Sequence, residues 1–425
     1  MSFNFSLYAS LLERPLLRFN YTLQTAVSKS TYTGISRYGP YDKDIFPKNE
    51  INLAAIYPIS VETHLQKFIR AFGEGIGVYP GFRTWFRVNI KKFDKFGVEP
   101  NTDSYKEVLN KVAREDYDIV YVIIDGAVHR NSLYPLIKTT LLGNGVPCQV
   151  IRSERISTPN DQLQWILANI ALSSYAKMGG TPWVISAKDK PEIVLGMSRA
   201  MDKTKKVIVG FTTLFKHNGD FILSYSKSPV TTWDEYEKGI ENLVCEAIKE
   251  YQKREEVPTS LVFHFHKRTG KKEIQAVKNA IESLNVDIKY ALLHLNSYSS
   301  YRIFDTSDFT YVPFSGLMVR LSSRQALLVT DGRQQYFKRP YIGTPTVLEI
   351  TLDKESTIDF KEFPRLVEQV YDFSYVNWRG FNARTIPVTI NYSYLIARLV
   401  SNLEYIEQWN SIITNGKLID KAWFL

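Results

Sequence analysis

The feature that most restricts the fold is the alternation of short apolar runs with amphipathic stretches across residues 51–177. Ile119–Ile124 is apolar throughout and is flanked by aspartates, as expected of a parallel strand buried on both faces. Strands that alternate with helices in this way indicate an open α/β sheet with helices on both faces. Ligands of such sheets bind beyond the carboxyl ends of the strands. Binding chemistry is therefore expected in the residues that follow Ile124.

Polar side chains suited to binding do follow this strand: Tyr134 and Lys138 on a predicted helix, Gln149 on a short strand, and Asn169, Ser173 and Lys177 on a second helix. The last three recur every four residues and share one helical face. Two ammonium groups, an aromatic ring and several amide or hydroxyl groups suit a phosphate with a flat group stacked above it. The alternative is ordinary surface decoration, because Tyr and Lys four residues apart are common on helices.

Beyond Gly179-Gly180 the pattern changes to consecutive strands, near residues 193–195, 206–214 and 221–226. A helix, a strand, a helix and a strand then follow up to residue 295. Three strands followed by this alternation are the order of a ribonuclease-H-like sheet. With 425 residues, the chain is long enough to form two domains, each with its own core.

Composition narrows the class of protein. A hydrophobic content of 44% with 23% charged residues is typical of a soluble globular protein. No apolar run is long enough to cross a bilayer, so neither a membrane span nor a signal peptide is expected. Cys148 and Cys245 stand alone, which suits a reducing cytoplasm. The formal charge of +9 would favour a polyanion if it were concentrated in a groove.

The sequence ends on Trp423-Phe424-Leu425, without a polar tail. Burial of these side chains would bring the terminal carboxylate toward the interior, where it needs a partner. That partner could be a Lys or Arg side chain, or a divalent cation that also neutralises a phosphate. In the simpler alternative, the apolar side chains pack while the carboxylate stays in water.

Several motifs resemble those of a known family: Gly179-Gly180 with Pro182-Trp183, Asn377-Trp378-Arg379-Gly380-Phe381 with Pro387-Val388-Thr389, the closing Trp423-Phe424-Leu425, and Arg37-Tyr38-Gly39-Pro40-Tyr41. In this order they resemble short prokaryotic Argonautes, above all the archaeal Piwi-type proteins made only of a MID and a PIWI domain. The resemblance implies a Rossmann-like MID domain over residues 39–178 and a ribonuclease-H-like PIWI domain over residues 179–425. Strands within residues 1–38 would pack on the PIWI domain.

The resemblance also implies roles for single residues. Tyr134 would stack on the first guide base, while Lys138, Gln149 and Lys177 would hold the 5′-phosphate of the guide. The spacing to Gln149 is one residue longer than in the family, because of the loop Gly143-Asn144-Gly145. The C-terminal carboxylate of Leu425 would share a Mg²⁺ ion with the guide's 5′ end.

Four further residues would contact the guide backbone: Asn169, Ser173, Arg379 and Arg384. Asn169 would touch a following phosphate, while Ser173 stands where a relative has a longer amide. Arg379 and Arg384 are assigned because they lie in or beside the strongest motif.

A ribonuclease-H-like nuclease needs carboxylates on neighbouring strands to hold two Mg²⁺ ions roughly 4 Å apart. Slicing Argonautes carry them where this chain reads Gly196-Met197-Ser198, where it reads His264-Phe265-His266-Lys267, and on the helix that holds Tyr394. None of these positions has a carboxylate. We therefore expect a PIWI domain that binds without cutting.

The sequence also allows alternatives to guide binding. His264, His266 and His294 lie on predicted strands and could hold Zn²⁺ in a hydrolase. A stand-alone metal-dependent nuclease with non-standard ligands is the alternative function, although the missing acids argue against it. A plain mononucleotide-binding protein would need a phosphate loop such as GxxxxGK[ST], which the sequence lacks.

The resemblance implies partners as well. They are a guide RNA or DNA with a 5′-phosphate, a target DNA, and a companion protein that completes the channel and carries an effector activity. Such a system would act in the cytoplasm of a prokaryote, in defence against invading DNA.

Overall fold

The structure is a computed structural model that describes residues 8–125, 130–187, 191–201, 208–226, 232–254, 258–266, 270–284, 288–334, 343–401 and 416–425. The chain divides into two compact units. The N-terminal unit comprises Leu17–Val184, Trp378–Phe381 and Arg398–Leu425. The C-terminal unit comprises Met1–Leu16, Ile185–Asn377 and Asn382–Ala397.

The N-terminal unit is built on a parallel sheet in the order β5-β4-β6-β7. Its strands are β2 Leu17–Arg18, β3 Val27–Ser28, β4 Glu50–Pro58, β5 Asn89–Val98, β6 Ile119–Ile124 and β7 Cys148–Arg152, with β8 Val184–Ile185 at its boundary. Its helices are α1 Thr31–Tyr38, α2 Glu62–Glu74, α3 Phe82–Phe86, α4 Thr102–Val112, α5 Arg130–Gly143, α6 Ser153–Ile156 and α7 Asn160–Lys177. Every residue of β6 is buried, so the predicted central parallel strand is confirmed.

The C-terminal unit holds one mixed sheet in the order β1-β14-β15-β16-β13-β12-β9-β10-β11. Its strands are β1 Tyr8–Leu11, β9 Glu192–Met201, β10 Ile208–Lys216, β11 Phe221–Ser226, β12 Ser260–His266, β13 Lys289–Asn296, β14 Leu317–Arg320, β15 Gln325–Val329 and β16 Val347–Leu352. Its helices are α8 Trp233–Arg254, α9 Lys271–Ser283, α10 Phe363–Phe373 and most of α11 Val388–Ser401. Strands β9, β10 and β11 form an antiparallel meander, and β12 and β13 extend it in parallel. This is the order that the sequence predicts for a ribonuclease-H-like sheet.

The predicted N-terminal segment, residues 1–38, divides between the units. Strand β1 pairs with β14, with Tyr8 opposite Arg320, and belongs to the C-terminal unit. From Leu17 onward the segment belongs to the N-terminal unit. Residues 1–7 lie outside the described part of the chain. Among the described helices, none is long and apolar enough to span a bilayer.

Asp42 fixes the entry of the chain into the N-terminal unit. Its buried carboxylate accepts a hydrogen bond from the Tyr175 hydroxyl at 2.7 Å and another from the Thr181 amide at 2.8 Å. Asp42→Ala is expected to lower the free energy of unfolding by about 2 kcal/mol, because two donors lose their acceptor. Urea unfolding measures this. Asp44→Ala is the matched control, because exposed Asp44 accepts one hydrogen bond from Thr22; an equal loss in both variants would contradict the assignment.

Candidate functional site

Strand β7 brings together three of the four residues predicted to hold a phosphate. Lys138 on α5 and Lys177 on α7 both donate to the carbonyl oxygen of Cys148, at 3.4 and 3.1 Å. Lys177 also donates to Oε1 of Gln149. The shared acceptor is a backbone group, which no residue-type pattern in the sequence could have indicated. The two ammonium groups therefore converge at the start of β7.

Both lysines are buried: Lys138 is 4% exposed and Lys177 is fully covered. Burial lowers the pKa of Lys177 well below its usual value, and the positive charge of Lys138 lowers it further. Across the described residues, neither ammonium group forms a salt bridge with a carboxylate. The site thus places two amino groups in the interior without a carboxylate partner among the described residues. Burial acts to lower the pKa of Lys138 too, but Cys148 and Tyr134 act against it, and the pKa of Lys138 is raised.

An aromatic ring and a guanidinium group accompany the lysine pair. The Lys138 ammonium lies 5.6 Å from the centroid of the half-buried Tyr134 ring. Arg379 is exposed, yet its charge contributes to lowering the pKa of Lys177. Arg379 belongs to the same unit as both lysines. The structure therefore places Tyr134 and Arg379 near the lysine pair, as their predicted roles require.

The remaining helical candidates differ in exposure. Asn169 is exposed, and its amide donates to the Trp165 carbonyl at 2.9 Å. A Cβ atom added to Gly380 would lie 3.0 Å from Oδ1 of Asn169, so the run that carries Arg379 passes beside α7. Ser173 is buried, and its hydroxyl donates to the Ile170 carbonyl at 3.1 Å within its own helix. A contact between Ser173 and a guide backbone stays a prediction.

Of the two remaining predicted residues, one belongs to the other unit and one ends the sequence. Arg384 belongs to the C-terminal unit, is exposed, and its amide donates to the Ser374 carbonyl at 3.0 Å. Leu425 belongs to the N-terminal unit and is buried together with Trp423 and Phe424. Among the described residues, no Lys or Arg forms a salt bridge with the terminal carboxylate. The terminal carboxylate therefore follows directly on buried apolar side chains.

The C-terminal unit brings together the positions where a nuclease would carry its acids. Strands β9 and β12 are parallel, with Phe265 opposite Met197, so the next positions are His266 and Ser198. The His266 ring lies 6.2 Å from the Tyr394 ring on α11, centroid to centroid. These positions present a hydroxyl, an imidazole and a phenol. Lys267, the last residue of the predicted motif, lies outside the described residues.

The zinc hypothesis is wrong, because the three histidines do not converge. Phe265 pairs with His294, so His294 faces the opposite side of the sheet from His264 and His266. The His294 ring bonds Asp353 at 2.8 Å. The His264 ring bonds the Thr389 hydroxyl at 2.8 Å.

Comparison with protein families identifies the family of this chain. The Piwi domain family matches residues 119–404, which is more than half of the chain. The chain belongs to the Piwi-domain family.

Curated relatives of this Piwi-domain chain carry Argonaute and Piwi names. The protein argonaute of Cereibacter sphaeroides is 27% identical over 440 residues, which cover 93% of this chain and 56% of that protein. The Piwi protein of Archaeoglobus fulgidus is 24% identical over 389 residues, 87% of each chain. The chain thus spans little more than half of the Cereibacter protein. The predicted resemblance to Argonautes and archaeal Piwi-type proteins is confirmed.

Solved structures show the same fold. Clostridium butyricum Argonaute, solved with a guide DNA and a 19-mer target DNA, aligns with a TM-score of 0.75 at 18% identity over 93% of this chain and 53% of that chain. Drosophila Piwi aligns with a TM-score of 0.75 at 16% identity over 98% of this chain and 56% of that chain. The predicted α/β fold class, a Rossmann-like MID domain with a ribonuclease-H-like PIWI domain, is confirmed.

Proposed function

We propose that this Piwi-domain chain binds the 5′-phosphorylated end of a guide strand, pairs the guide with target DNA, and does not cut the target. The observation that carries the proposal is the buried pair of Lys138 and Lys177, which share one backbone acceptor. A terminal phosphate carries a charge of about −1.5 to −2 at pH 7 and three acceptor oxygens. It would neutralise both ammonium groups and restore an ordinary pKa to Lys177.

The other residues of the site fit the same ligand. Tyr134 would stack on the first guide base, because its ring lies beside the Lys138 ammonium and every base offers a π-face. Gln149 would orient Lys177 through its amide oxygen. Asn169 and Arg379 are exposed, and Gly380, next to Arg379, lies beside Asn169, so both would contact the following phosphates of the guide.

A Mg²⁺ ion at the guide's 5′ end fits the donors that the chain offers. The tail that ends at Leu425 is packed, and its terminal carboxylate forms no salt bridge with a described basic side chain. Carboxylate and phosphate oxygens are the ligands that Mg²⁺ prefers. When bound, the ion would supply charge neutralisation between the two anions, while the lysines and Tyr134 orient the guide.

Sequence specificity would come from the guide, since backbone contacts hold a strand without reading its bases. The solved Clostridium butyricum relative holds a guide DNA and a target DNA. We extend that to this chain as binding of a guide RNA or DNA and a target DNA. A companion protein with effector activity would complete the channel in a cytoplasmic prokaryotic defence system, as the resemblance to short Argonautes implies.

The absence of cutting is supported by the groups at the catalytic positions. Ser198, His266 and Tyr394 offer hydroxyl, imidazole and phenol groups, whereas a two-metal mechanism needs carboxylates on neighbouring strands. The alternative, a metal-dependent nuclease with non-standard ligands, would have to use these groups.

Removing the 5′-phosphate from a short guide is expected to weaken binding by at least about 30-fold, because two buried ammonium groups lose their counter-charge. Fluorescence anisotropy with phosphorylated and unphosphorylated guides of one sequence measures this. Repeating the titration in Mg²⁺ and in EDTA tests the contribution of the ion. Equal affinity for both guides would overturn the assignment of the pocket.

No cleavage product is expected from a labelled target after incubation with the guide-loaded protein in Mg²⁺ or Mn²⁺. The control is His266→Ala in the same assay, which separates this chain's own activity from a contaminating nuclease. Cleavage by the wild type that His266→Ala abolishes would establish the alternative nuclease.

A further inference from the structure

The loop between β13 and β14, residues 297–316, is here named the aromatic loop. It has five exposed aromatic side chains: Tyr298, Tyr301, Phe304, Phe309 and Tyr311. Phe309 is 91% exposed and Tyr298 is 70% exposed. Single exposed apolar residues are normal, but a concentration of them marks an interaction surface. Since each ring covers about 150–250 Å² when buried, the set offers on the order of 600 Å², near the ~800 Å² that one partner contributes to a standard interface.

Hydrogen bonds and ion pairs hold the backbone of the aromatic loop. Asp305 accepts from the Ser307 amide at 3.0 Å, and Asp308 accepts from the Thr310 amide at 2.9 Å. Arg333 bonds the carboxylates of both aspartates, at 2.7 Å to Asp305. The exposed rings therefore project from an organised loop, so a partner that covers them need not order its backbone first.

The backbone of Tyr311 adopts a conformation that costs free energy. Its φ of 56° lies in the left-handed region, which bulky residues rarely adopt. Two backbone bonds keep it there: its amide donates to the Asp308 carbonyl at 3.0 Å, and its carbonyl accepts from the Asp305 amide at 3.0 Å. The Tyr311 ring stays exposed all the same. Strained backbone that holds an apolar side chain in water is characteristic of binding sites.

Charge on the aromatic loop favours a protein partner over a nucleic acid. Its charged residues are Arg302, Asp305 and Asp308. Arg302 donates to the carbonyls of Ser299 and Tyr301, while both aspartates bond Arg333. With its charges engaged locally, the loop itself carries no cationic stripe, although the Tyr298 ring lies 6.1 Å from the His266 ring, centroid to centroid, and the chain carries a net charge of +9. A phosphate backbone needs such a stripe.

The cavity beside β13 and β16 does not suit the aromatic rings of a second copy of this chain. The cavity described beside β13 and β16 has a volume of about 750 Å³. Polar and charged side chains line much of it: His294, Arg324, Glu349, Asp353 and Lys354. Inserting a phenyl ring there would remove water from these groups without replacing their hydrogen bonds, which is unfavourable.

We propose that the aromatic loop is the docking surface for a companion protein, a separate chain that offers an uncharged, apolar cleft. The inference rests on the proposed function for the existence of a companion. It does not rest on the lysine pair, which belongs to the other unit. Phe309 would be the central anchor, because rigid aromatic side chains dominate binding energy at interfaces.

The test begins with affinity purification from the native host of three tagged proteins: the wild type, Phe309→Ser/Tyr311→Ser, and the control Tyr8→Ser/Phe360→Ser. The control removes two exposed aromatic rings elsewhere on the C-terminal unit. A protein retained by the wild type and the control, but lost by the loop variant, is then identified and purified. Isothermal titration calorimetry of that purified protein should show binding at least about 30-fold weaker for the loop variant, with the control unchanged.

Each other result would overturn the docking surface. One is that all three tagged proteins retain the captured protein equally. Another is that the wild type and the loop variant bind it with equal affinity in calorimetry. A third is that light scattering shows a dimer of this chain, which the loop substitutions dissociate. Target DNA binding that weakens only in the loop variant would also overturn it, in favour of a nucleic-acid contact. Guide binding should be equal in all three proteins. If the wild type binds no guide, the proposed function fails, while the docking result is still read from calorimetry.

Discussion

Replacing Lys177 by methionine is expected to weaken binding of a 5′-phosphorylated guide by about 100-fold while making the protein more stable. The two effects have one cause. Lys177 is fully covered, and burial together with the charge of Lys138 lowers its pKa, so the folded protein holds this ammonium group at a cost. Methionine keeps the length and apolar stem of lysine but removes the charge. In the free protein the ammonium donates to the Cys148 carbonyl and to Gln149, which offsets only part of that cost, whereas a bound phosphate would neutralise the charge.

The expected gain in stability is about 1 kcal/mol or more, or roughly 2–4 °C in the unfolding temperature. Differential scanning calorimetry without guide measures it, and anisotropy measures guide affinity. Lys106→Met is the matched control, because Lys106 is an exposed residue of α4 in the same unit. A Lys177→Met protein that loses both stability and affinity would show that the lysine serves the packing rather than the ligand.

The same electrostatics predicts that guide binding takes up protons. In the free protein the pKa of Lys177 is depressed, and a phosphate beside it would raise that pKa, so binding favours the charged form. Calorimetry at pH 8 in two buffers of different ionisation enthalpy measures the uptake. At that pH the phosphate is already a dianion, since its second pKa is about 6. Uptake that persists unchanged in Lys177→Met would contradict the assignment to this lysine.

The periodicity of the sequence located the site but could not show its burial. Four-residue spacing placed Asn169, Ser173 and Lys177 on one helical face, and α7 confirms the helix. The C-terminal half of α7 is buried on nearly all sides, including Ser173 and Lys177. A helix without an amphipathic pattern gives no sign of which face meets the core. Complete burial of a lysine is a tertiary property that no local pattern contains.

The segment around Arg83 shows where local preference fails. Aromatic residues favour strands, yet Phe82–Phe86 forms the short helix α3, and β5 begins only at Asn89. Gly81 has a φ of 96°, and a Cβ atom there would lie 2.5 Å from the Gly73 carbonyl oxygen. This close approach of two backbone segments fixes α3. The contact depends on how the chain turns between α2 and α3, which the residue preferences of Phe82–Phe86 themselves do not indicate.

The histidines of the C-terminal unit also show what a local sequence pattern cannot determine. Strand alternation correctly places His264 and His266 on one face of β12. The position of His294 depended on the register between β12 and β13, which sets it opposite Phe265. A shift of one residue would have reversed its face. Register is decided by packing across the whole sheet. The sequence was therefore compatible with a zinc site formed by the three histidines, and the register in the structure excludes it.

Acid is expected to destabilise the C-terminal unit through His264, by about 2–3 kcal/mol between pH 6.5 and 4.5. The ring is fully buried and bonds the Thr389 hydroxyl at 2.8 Å. Within the described residues, its Nε2 atom has no hydrogen-bond partner. Burial lowers the pKa of His264 to about 3. An unfolded histidine, with a pKa near 6.5, takes up a proton as the pH falls, whereas the folded one does not.

The sign follows from this difference in proton binding. Above pH 6.5 both states hold a neutral ring and His264 imposes no penalty. As the pH falls from 6.5 toward 3, only the unfolded state binds the proton, so the free energy of unfolding decreases by about 1.4 kcal/mol per pH unit. Asp353 does not interfere, because the pKa of its carboxyl is held below its usual value despite burial, by hydrogen bonds that include one from His294. Its effect on stability begins below about pH 5, where the unfolded carboxyl, with a pKa near 3.9, starts to bind protons, so it lies outside a measurement between pH 5.0 and 7.5.

Urea unfolding between pH 5.0 and 7.5 measures the slope for wild type, His264→Phe and the control His64→Gln. Phenylalanine fills a similar volume and cannot titrate, so its slope in this window should be smaller by about one proton. His64 is exposed on α2 in the N-terminal unit, so its replacement should leave the slope unchanged. An unchanged slope in His264→Phe would show that the ring in the folded protein takes up a proton at the same pH as in the unfolded chain. In acid, His264 would then carry a positive charge on the same strand as His266, which would strengthen the attraction of β12 for a phosphate backbone.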